Sequence, residues 1–251
     1  MRQRIVAIVQ ARTGSTRLPG KVLLPILGEP MLVHVMRRTG RARLVDEVVL
    51  ATTTLAEDDR LAALADDNGW PISRGSATDL LRRYADAARS ARADAVVRIT
   101  SDCPLIDPEL IDATIDVFTK ASADYASNAL EPRTFPRGLD VEVVSRVALE
   151  AADRDDVDPA SREHATPYIR RHPERFVQAR LDAENDASDQ RWTVDTPEDL
   201  ELVRRIYSAV GNEPFGWRDA LRVAKAHPDW SALNRHVVQK EVPALDSRAT
   251  T

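Results

Sequence analysis

Cysteine occurs once in the 251 residues, at Cys103, so no intrachain disulfide can form. A chain without disulfides fits a reducing compartment, and a cytoplasmic protein is expected. No apolar run approaches the ~18 residues of a membrane span, and no apolar leader stands ahead of the first strand-like segment, so no membrane partner is expected. Positive charge is short as well. The 35 Lys and Arg face 40 Asp and Glu, and the net charge of −5 is the wrong sign for a nucleic-acid partner. Internal repeats and low-complexity tracts are missing, which excludes solenoids.

A Walker A loop is missing too. That motif needs four residues between its glycines and Ser or Thr after its Lys, to hold Mg²⁺. Here five residues separate Gly14 from Gly20, and Val22 follows Lys21. Any metal must therefore be held by carboxylates elsewhere.

What is present is a soluble globular composition, 43% hydrophobic and 30% charged. The length fits one α/β domain, or one domain with a small appendage, burying roughly three-quarters of its unfolded surface. Near the N-terminus the apolar run 4–9 reads as a buried strand. After it, Gln10 to Lys21 holds three cations (Arg12, Arg17, Lys21), two glycines, one proline and three hydroxyl residues in twelve positions. Gly and small hydroxyl residues let backbone N–H groups approach a ligand, and the cations supply charge. A strand followed by such a loop is a phosphate-binding arrangement.

Downstream, strands at 47–52, 70–73 and 95–99 alternate with helices at 31–38, 57–67 and 78–93. This pattern predicts βαβ units and a mainly parallel sheet covered on both faces. Asp102 follows the fourth strand, and Asp107 with Pro108 opens a helix to about Lys120. Ligands of open α/β sheets collect beyond the carboxyl ends of strands. On position alone, Asp102 either faces such a ligand or closes a turn through its own backbone.

A strand at 124–128 leads to a Pro/Gly loop over 131–139, long enough to be functional. The next strand, 140–144, places Asp140 and Glu142 on one face. They are either a solvated edge or a pair reaching sugar hydroxyls. Short helices are predicted at 147–152 and 159–171. His164 in the second is either a buried, hydrogen-bonded structural histidine or a site residue. Strands at 176–181 and 191–194 precede Asp195, and Thr196, Pro197 and Asp199 form a capping-box variant opening a helix to about Tyr207. The capping is done without Asp195, which sits, like Asp102, between a strand end and a helix start.

The run Ala11-Arg12-Thr13-Gly14-Ser15-Thr16-Arg17-Leu18-Pro19-Gly20-Lys21 resembles the signature loop of the cytidylyltransferases that make CMP-activated sugars. That family includes the sialate and 3-deoxy-manno-octulosonate (KDO) enzymes and the spore-coat SpsF-like proteins, the branch nearest in pattern. The resemblance extends to about Tyr207. It implies an α/β, Rossmann-like three-layer nucleotidyltransferase fold with a mainly parallel central sheet over residues 1–210. A dimerisation and acceptor-binding segment would lie at about 130–180, and a helical extension and tail over 211–251, frayed from Val242.

The resemblance also implies site residues. Val194 to Leu200 is similar to the family's second metal-ligand motif, so Asp102 and Asp195 would hold Mg²⁺. Arg12 and Lys21 would act with them on the triphosphate of CTP. The nucleotide would also meet Gln10, Ala11, Thr13, Gly14, Ser15, Gly75 and Ser101, with Arg74 and Ser76 reading the pyrimidine. Arg74 is otherwise part of an ordinary turn with Thr78 as cap. Arg137, Asp140, Glu142 and His164 would contact the acceptor, an acidic sugar or a related phosphorylated or phosphonate compound. Arg137 departs from the acidic or small residue expected there. A homodimer is implied.

Such parts suit attack on a nucleotide α-phosphate with pyrophosphate leaving. A glycosyltransferase of similar fold would want Asp-x-Asp where Ser101-Asp102-Cys103-Pro104 stands. A non-catalytic nucleotide-binding protein would show degraded metal positions, and both aspartates are present.

Overall fold

A computed structural model describes residues 2–211 and 214–239. The strands are β1 (Ile5–Gln10), β2 (Pro25–Ile26), β3 (Glu29–Pro30), β4 (Glu47–Thr53), β5 (Ile72–Gly75), β6 (Ala95–Thr100), β7 (Tyr125–Ser127), β8 (Glu142–Ser145) and β9 (Gln178–Arg180). The helices are α1 (Met31–Thr39), α2 (Asp59–Asp67), α3 (Leu80–Ser90), α4 (Pro108–Lys120), α5 (Arg146–Asp155), α6 (Pro159–Arg162), α7 (Pro167–Arg171), α8 (Pro197–Val210), α9 (Trp217–Ala226) and α10 (Pro228–Ser231).

Seven strands form one sheet in the order β5-β4-β1-β6-β8-β7-β9. β5, β4, β1 and β6 are mutually parallel, while β8 runs antiparallel to β6 and β7. β1 shows why both faces are covered. Ile5, Ala7 and Val9 enter one core with residues of α1, α4, α8 and α9, and Val6 and Ile8 enter a second core with residues of α3 and α5. Alternation with apolar residues on both faces leaves no solvated side, so the sheet becomes the middle of three layers, as the sequence predicts.

The caps hold. The Asp107 carboxylate accepts from Glu109 and Leu110 N–H at 2.8 and 3.2 Å, and its other oxygen accepts from Trp217 N–H at 2.6 Å. One side chain thus opens α4 and ties down α9. Thr196 and Asp199 form the predicted capping box at α8.

Several boundaries differ from expectation. The third strand begins two residues later, because Pro71 has no N–H for the ladder, and it runs on through Arg74 and Gly75. Asp79 rather than Thr78 caps α3, accepting from Arg82 N–H at 2.9 Å. Asp140 lies outside β8, so it and Glu142 are not neighbours on one strand face. The helix expected over 159–171 is split into α6 and α7. Ala165 turns to φ 68°, and Pro167 both lacks an N–H and disfavours helix at Thr166.

The strand expected at 191–194 is reduced to a single bridge between Arg137 and Arg191. Its next contact, Val194 N–H to the Asp102 carbonyl at 2.8 Å, leaves the sheet for the site. The fraying expected from Val242 lies outside the described residues.

Candidate active site

Three chain segments meet beyond the carboxyl ends of β1 and β6. The loop after β1 is fastened first. Asp58, fully buried, accepts from the Thr13 N–H at 2.7 Å and the Thr13 hydroxyl at 2.8 Å, and it also binds the Thr53 hydroxyl. Burial alone would raise the Asp58 carboxyl, but these hydrogen bonds hold it below its usual value. Gly20 then takes φ 66°, a left-handed conformation favouring glycine, and the chain enters a single 3₁₀ turn over Lys21–Leu23. Val22, 1% exposed, anchors that turn in the core and aims Lys21 into the site.

The Lys21 ammonium donates to Asp102 Oδ2, Asp195 Oδ1 and the Val194 carbonyl, each at 2.8 Å. Arg17 and Arg191 both approach Asp195 Oδ2 at 2.9 Å. Arg191 is held in turn by Asp199 at 3.0 Å, and the Asp195 N–H donates to Asp199 at 2.9 Å. Asp199, fully buried, thus orients Asp195 from both sides. Burial by itself would raise the Asp102 carboxyl. The Lys21 charge and hydrogen bonds from Lys21, Thr100 and Cys103 outweigh it and hold the group at about 2. Burial would lower Lys21, but the two carboxylates push it above its usual range. The Cys103 thiol is raised well above its usual value by burial and then by the Asp102 charge, so it stays neutral beside the site.

These groups line a cleft of about 480 Å³. Of the residues expected from sequence, Gln10, Ala11, Arg12, Gly14, Ser15, Lys21, Ser101, Asp102, His164 and Asp195 border it. The Tyr84 hydroxyl donates to Gln10 Oε1 at 3.0 Å, which leaves the Gln10 amide nitrogen as the free donor. Arg12 faces Glu163 at 3.9 Å, with both side chains about half exposed. At His164, burial and then the Arg98 charge lower the imidazole pKa and favour its neutral form.

The other expected residues lie elsewhere. Thr13 is committed to Asp58. Arg74 donates to the Thr53 and Leu55 carbonyls and to Asp59, at 2.9, 3.1 and 2.7 Å, and does not border the cleft. Gly75 sits in β5, and Ser76 accepts from the Thr78 and Asp79 N–H groups. Asp140 pairs with Arg133 through both oxygens. Glu142 is buried against Arg98, the Tyr125 hydroxyl and the Thr166 hydroxyl. Arg137 borders a second cavity.

Arg83 is a cleft residue that sequence reasoning missed. It is 4% exposed, and its Nη1 donates to the Ser76 carbonyl at 2.8 Å, while its Nε is buried with no partner among the described residues. Burial and the nearby Arg12 charge lower its pKa. The Arg82-Arg83 doublet reads as helix surface, so only packing reveals which of the two turns inward.

Among the described residues no group of three or more His, Cys, Asp or Glu side chains could hold a metal ion. Two carboxylates and a main-chain carbonyl closing on one cation are nonetheless the hard oxygen donors Mg²⁺ takes when phosphates supply the rest.

Comparisons with known proteins place the chain in a family. A family model described as cytidylyltransferase matches residues 6–222. The chain is 33% identical over 219 residues to the spore coat polysaccharide biosynthesis protein SpsF of Bacillus subtilis, covering 84% of this chain and 89% of that one. It is 44% identical over 116 residues to a 3-deoxy-manno-octulosonate cytidylyltransferase of Geobacter sulfurreducens, covering 44% of each. The solved structure of a cytidylyltransferase from Leptospira borgpetersenii superposes with a TM-score of 0.88 at 34% identity, covering 96% of this chain and 100% of that one. A cationic loop after β1, facing one aspartate from the turn after β6 and another just ahead of α8, is thus found in a chain that belongs to the cytidylyltransferase family.

Proposed function

We propose that this protein transfers a cytidylyl group from CTP to an acidic sugar, or to a related phosphorylated or phosphonate acceptor, with release of pyrophosphate. The observation that carries the reading is the meeting of Asp102 and Asp195 on the Lys21 ammonium, 2.8 Å from each, beside the loop that follows β1. An acceptor hydroxyl forms a bond to the α-phosphorus as the bond from that phosphorus to the α–β bridging oxygen breaks; pyrophosphate leaves with that oxygen, and the hydroxyl proton passes to solvent. Such transfer depends on positioning and charge neutralisation more than on covalent help.

Asp102 and Asp195 would hold Mg²⁺, whose chemistry when bound is to neutralise phosphate charge. Lys21, Arg12 and Arg17 bind the phosphates and stabilise the charge on the departing pyrophosphate. The Gly14 and Ser15 segment brings the main chain close to the same phosphates. Arg83, Gln10 and Ser101 surround the nucleoside end. His164, neutral and at the cleft edge, is placed to contact the acceptor.

The test is to follow pyrophosphate release from CTP with Mg²⁺ and a panel of sugar acids, sugar phosphates and phosphonates. Release is expected with CTP, to be lost in EDTA and restored by Mg²⁺, and to be abolished in Asp195→Asn. Undiminished turnover in that variant would refute the assignment.

A further inference from the structure

A second cavity, of about 690 Å³, lies beside the active-site cleft. Its walls come from residues 188–191, from Arg137 and from the C-terminal segment that carries α9 and α10. Four cationic side chains, Arg137, Arg191, Lys225 and Arg235, border it against one carboxylate, Asp189. Arg191 is already neutralised by Asp195 and Asp199. The guanidinium of Arg137 has no hydrogen-bond or ion-pair partner among the described residues, and neither do Lys225 and Arg235.

Arg137 is half-buried, and burial with the nearby Arg133 and Arg191 charges lowers its pKa against the opposing pull of Asp140 and Glu131. A desolvated cation beside two others is unfavourable by itself, and an anion would relieve it. Its main chain is also fixed, by Arg137 N–H to the Gln190 carbonyl at 3.0 Å and Trp192 N–H to the Arg137 carbonyl at 2.6 Å. The side chain is therefore presented from a rigid base. Gln239 borders both cavities and accepts from Arg191 Nη1 at 2.7 Å, forming the shared wall.

We propose that this cavity is an oxyanion site, built on Arg137 and completed by Lys225 and Arg235 of the C-terminal segment, that takes the phosphate, phosphonate or carboxylate group of a small molecule. A guanidinium suits such groups because its planar fork binds them bidentately. The volume is that of a small-molecule site. Two sources share this chemistry: the acidic end of the acceptor, which rests on the function proposed above, or a free inorganic anion.

The test uses the full chain saturated with CTP in the absence of metal and acceptor, so that the β1 loop is occupied and no turnover occurs. Inorganic phosphate and methylphosphonate are titrated by calorimetry at low salt. Binding is expected, weakened by added salt. In Arg137→Gln the affinity should fall at least tenfold with CTP affinity unchanged, and Lys225→Gln with Arg235→Gln should lower it severalfold. Equal affinity in Arg137→Gln, or no phosphate binding once CTP is bound, would overturn the site. A sugar phosphate binding at least tenfold tighter than both phosphate and the unphosphorylated sugar identifies the acceptor as the source. Equal affinity of sugar phosphate and phosphate identifies a free anion. Absence of CTP binding would sink the transfer reaction, and the Arg137→Gln comparison, run without nucleotide, would still decide the cavity.

Discussion

The Lys21 ammonium donates to the Asp102 carboxylate across 2.8 Å, joining residues 81 positions apart in the chain. Each group is held in its charged form by the other, against the burial that works on both.

That pairing predicts a pH signature. The Asp102 carboxyl lies at about 2 in the folded protein against an ordinary value of 3.8, so the unfolded chain binds the extra proton first. Its stabilisation is fully present above the unfolded value and is lost as pH falls through about 2. The contribution is on the order of 2 kcal/mol. Urea unfolding of wild type and Asp102→Asn should differ most near neutral pH and converge between pH 4 and 2.

Arg83 and Arg74 should separate cleanly. Arg83→Gln removes a cleft cation and is expected to weaken CTP binding about tenfold or more, the order of one lost charge-assisted hydrogen bond. Arg74→Gln removes only ties from β5 to the end of β4, to Leu55 and to the first residue of α2, so CTP affinity should be unchanged. Calorimetric CTP titration of the two variants checks both. Weaker CTP binding by Arg74→Gln would return that residue to the nucleotide site.

Glu142→Ala should be a stability variant. It leaves Arg98 inside the protein without its counter-charge, while Tyr125 and Thr166 lose an acceptor. The expected loss is ~3–5 kcal/mol, read from urea midpoints. Weakened acceptor binding at wild-type stability would instead place Glu142 in acceptor contact.

Gly138→Ala should damage fold and turnover together. Gly138 has φ 104°, and a Cβ there would stand 2.4 Å from the Thr193 nitrogen and 2.6 Å from the Trp192 carbonyl carbon. Those residues lead directly to Asp195. A loss above ~2 kcal/mol is expected from the backbone strain and the clash, with pyrophosphate release falling in parallel.

The amino-acid order by itself determined the layers and the catalytic candidates. Apolar runs of strand length alternating with amphipathic helices admit few arrangements other than a covered, mainly parallel sheet. Asp107, Pro108, Thr196, Pro197 and Asp199 mark helix starts through local hydrogen bonding and a fixed φ, so they are legible without tertiary context. Asp102 and Asp195 stood out because each follows an apolar segment and neither is needed as a cap.

Tertiary structure alone decided which charges face which. Arg74 in β5 and Arg83 in α3 both read as surface arginines, and only packing sends one to Asp59 and the other to the cleft. Asp58 looks like a surface acid and Asp199 like a cap alone, yet both are buried, Asp58 fastening the loop after β1 through Thr13 and Asp199 holding Asp195 and Arg191. Asp140 and Glu142 share an alternating pattern, yet Arg133 and Arg98 claim them separately. A side chain's charge is written in the sequence. Its partner is not, because an ion pair forms between whichever groups the packed layers bring within a few ångströms, whatever their separation along the chain.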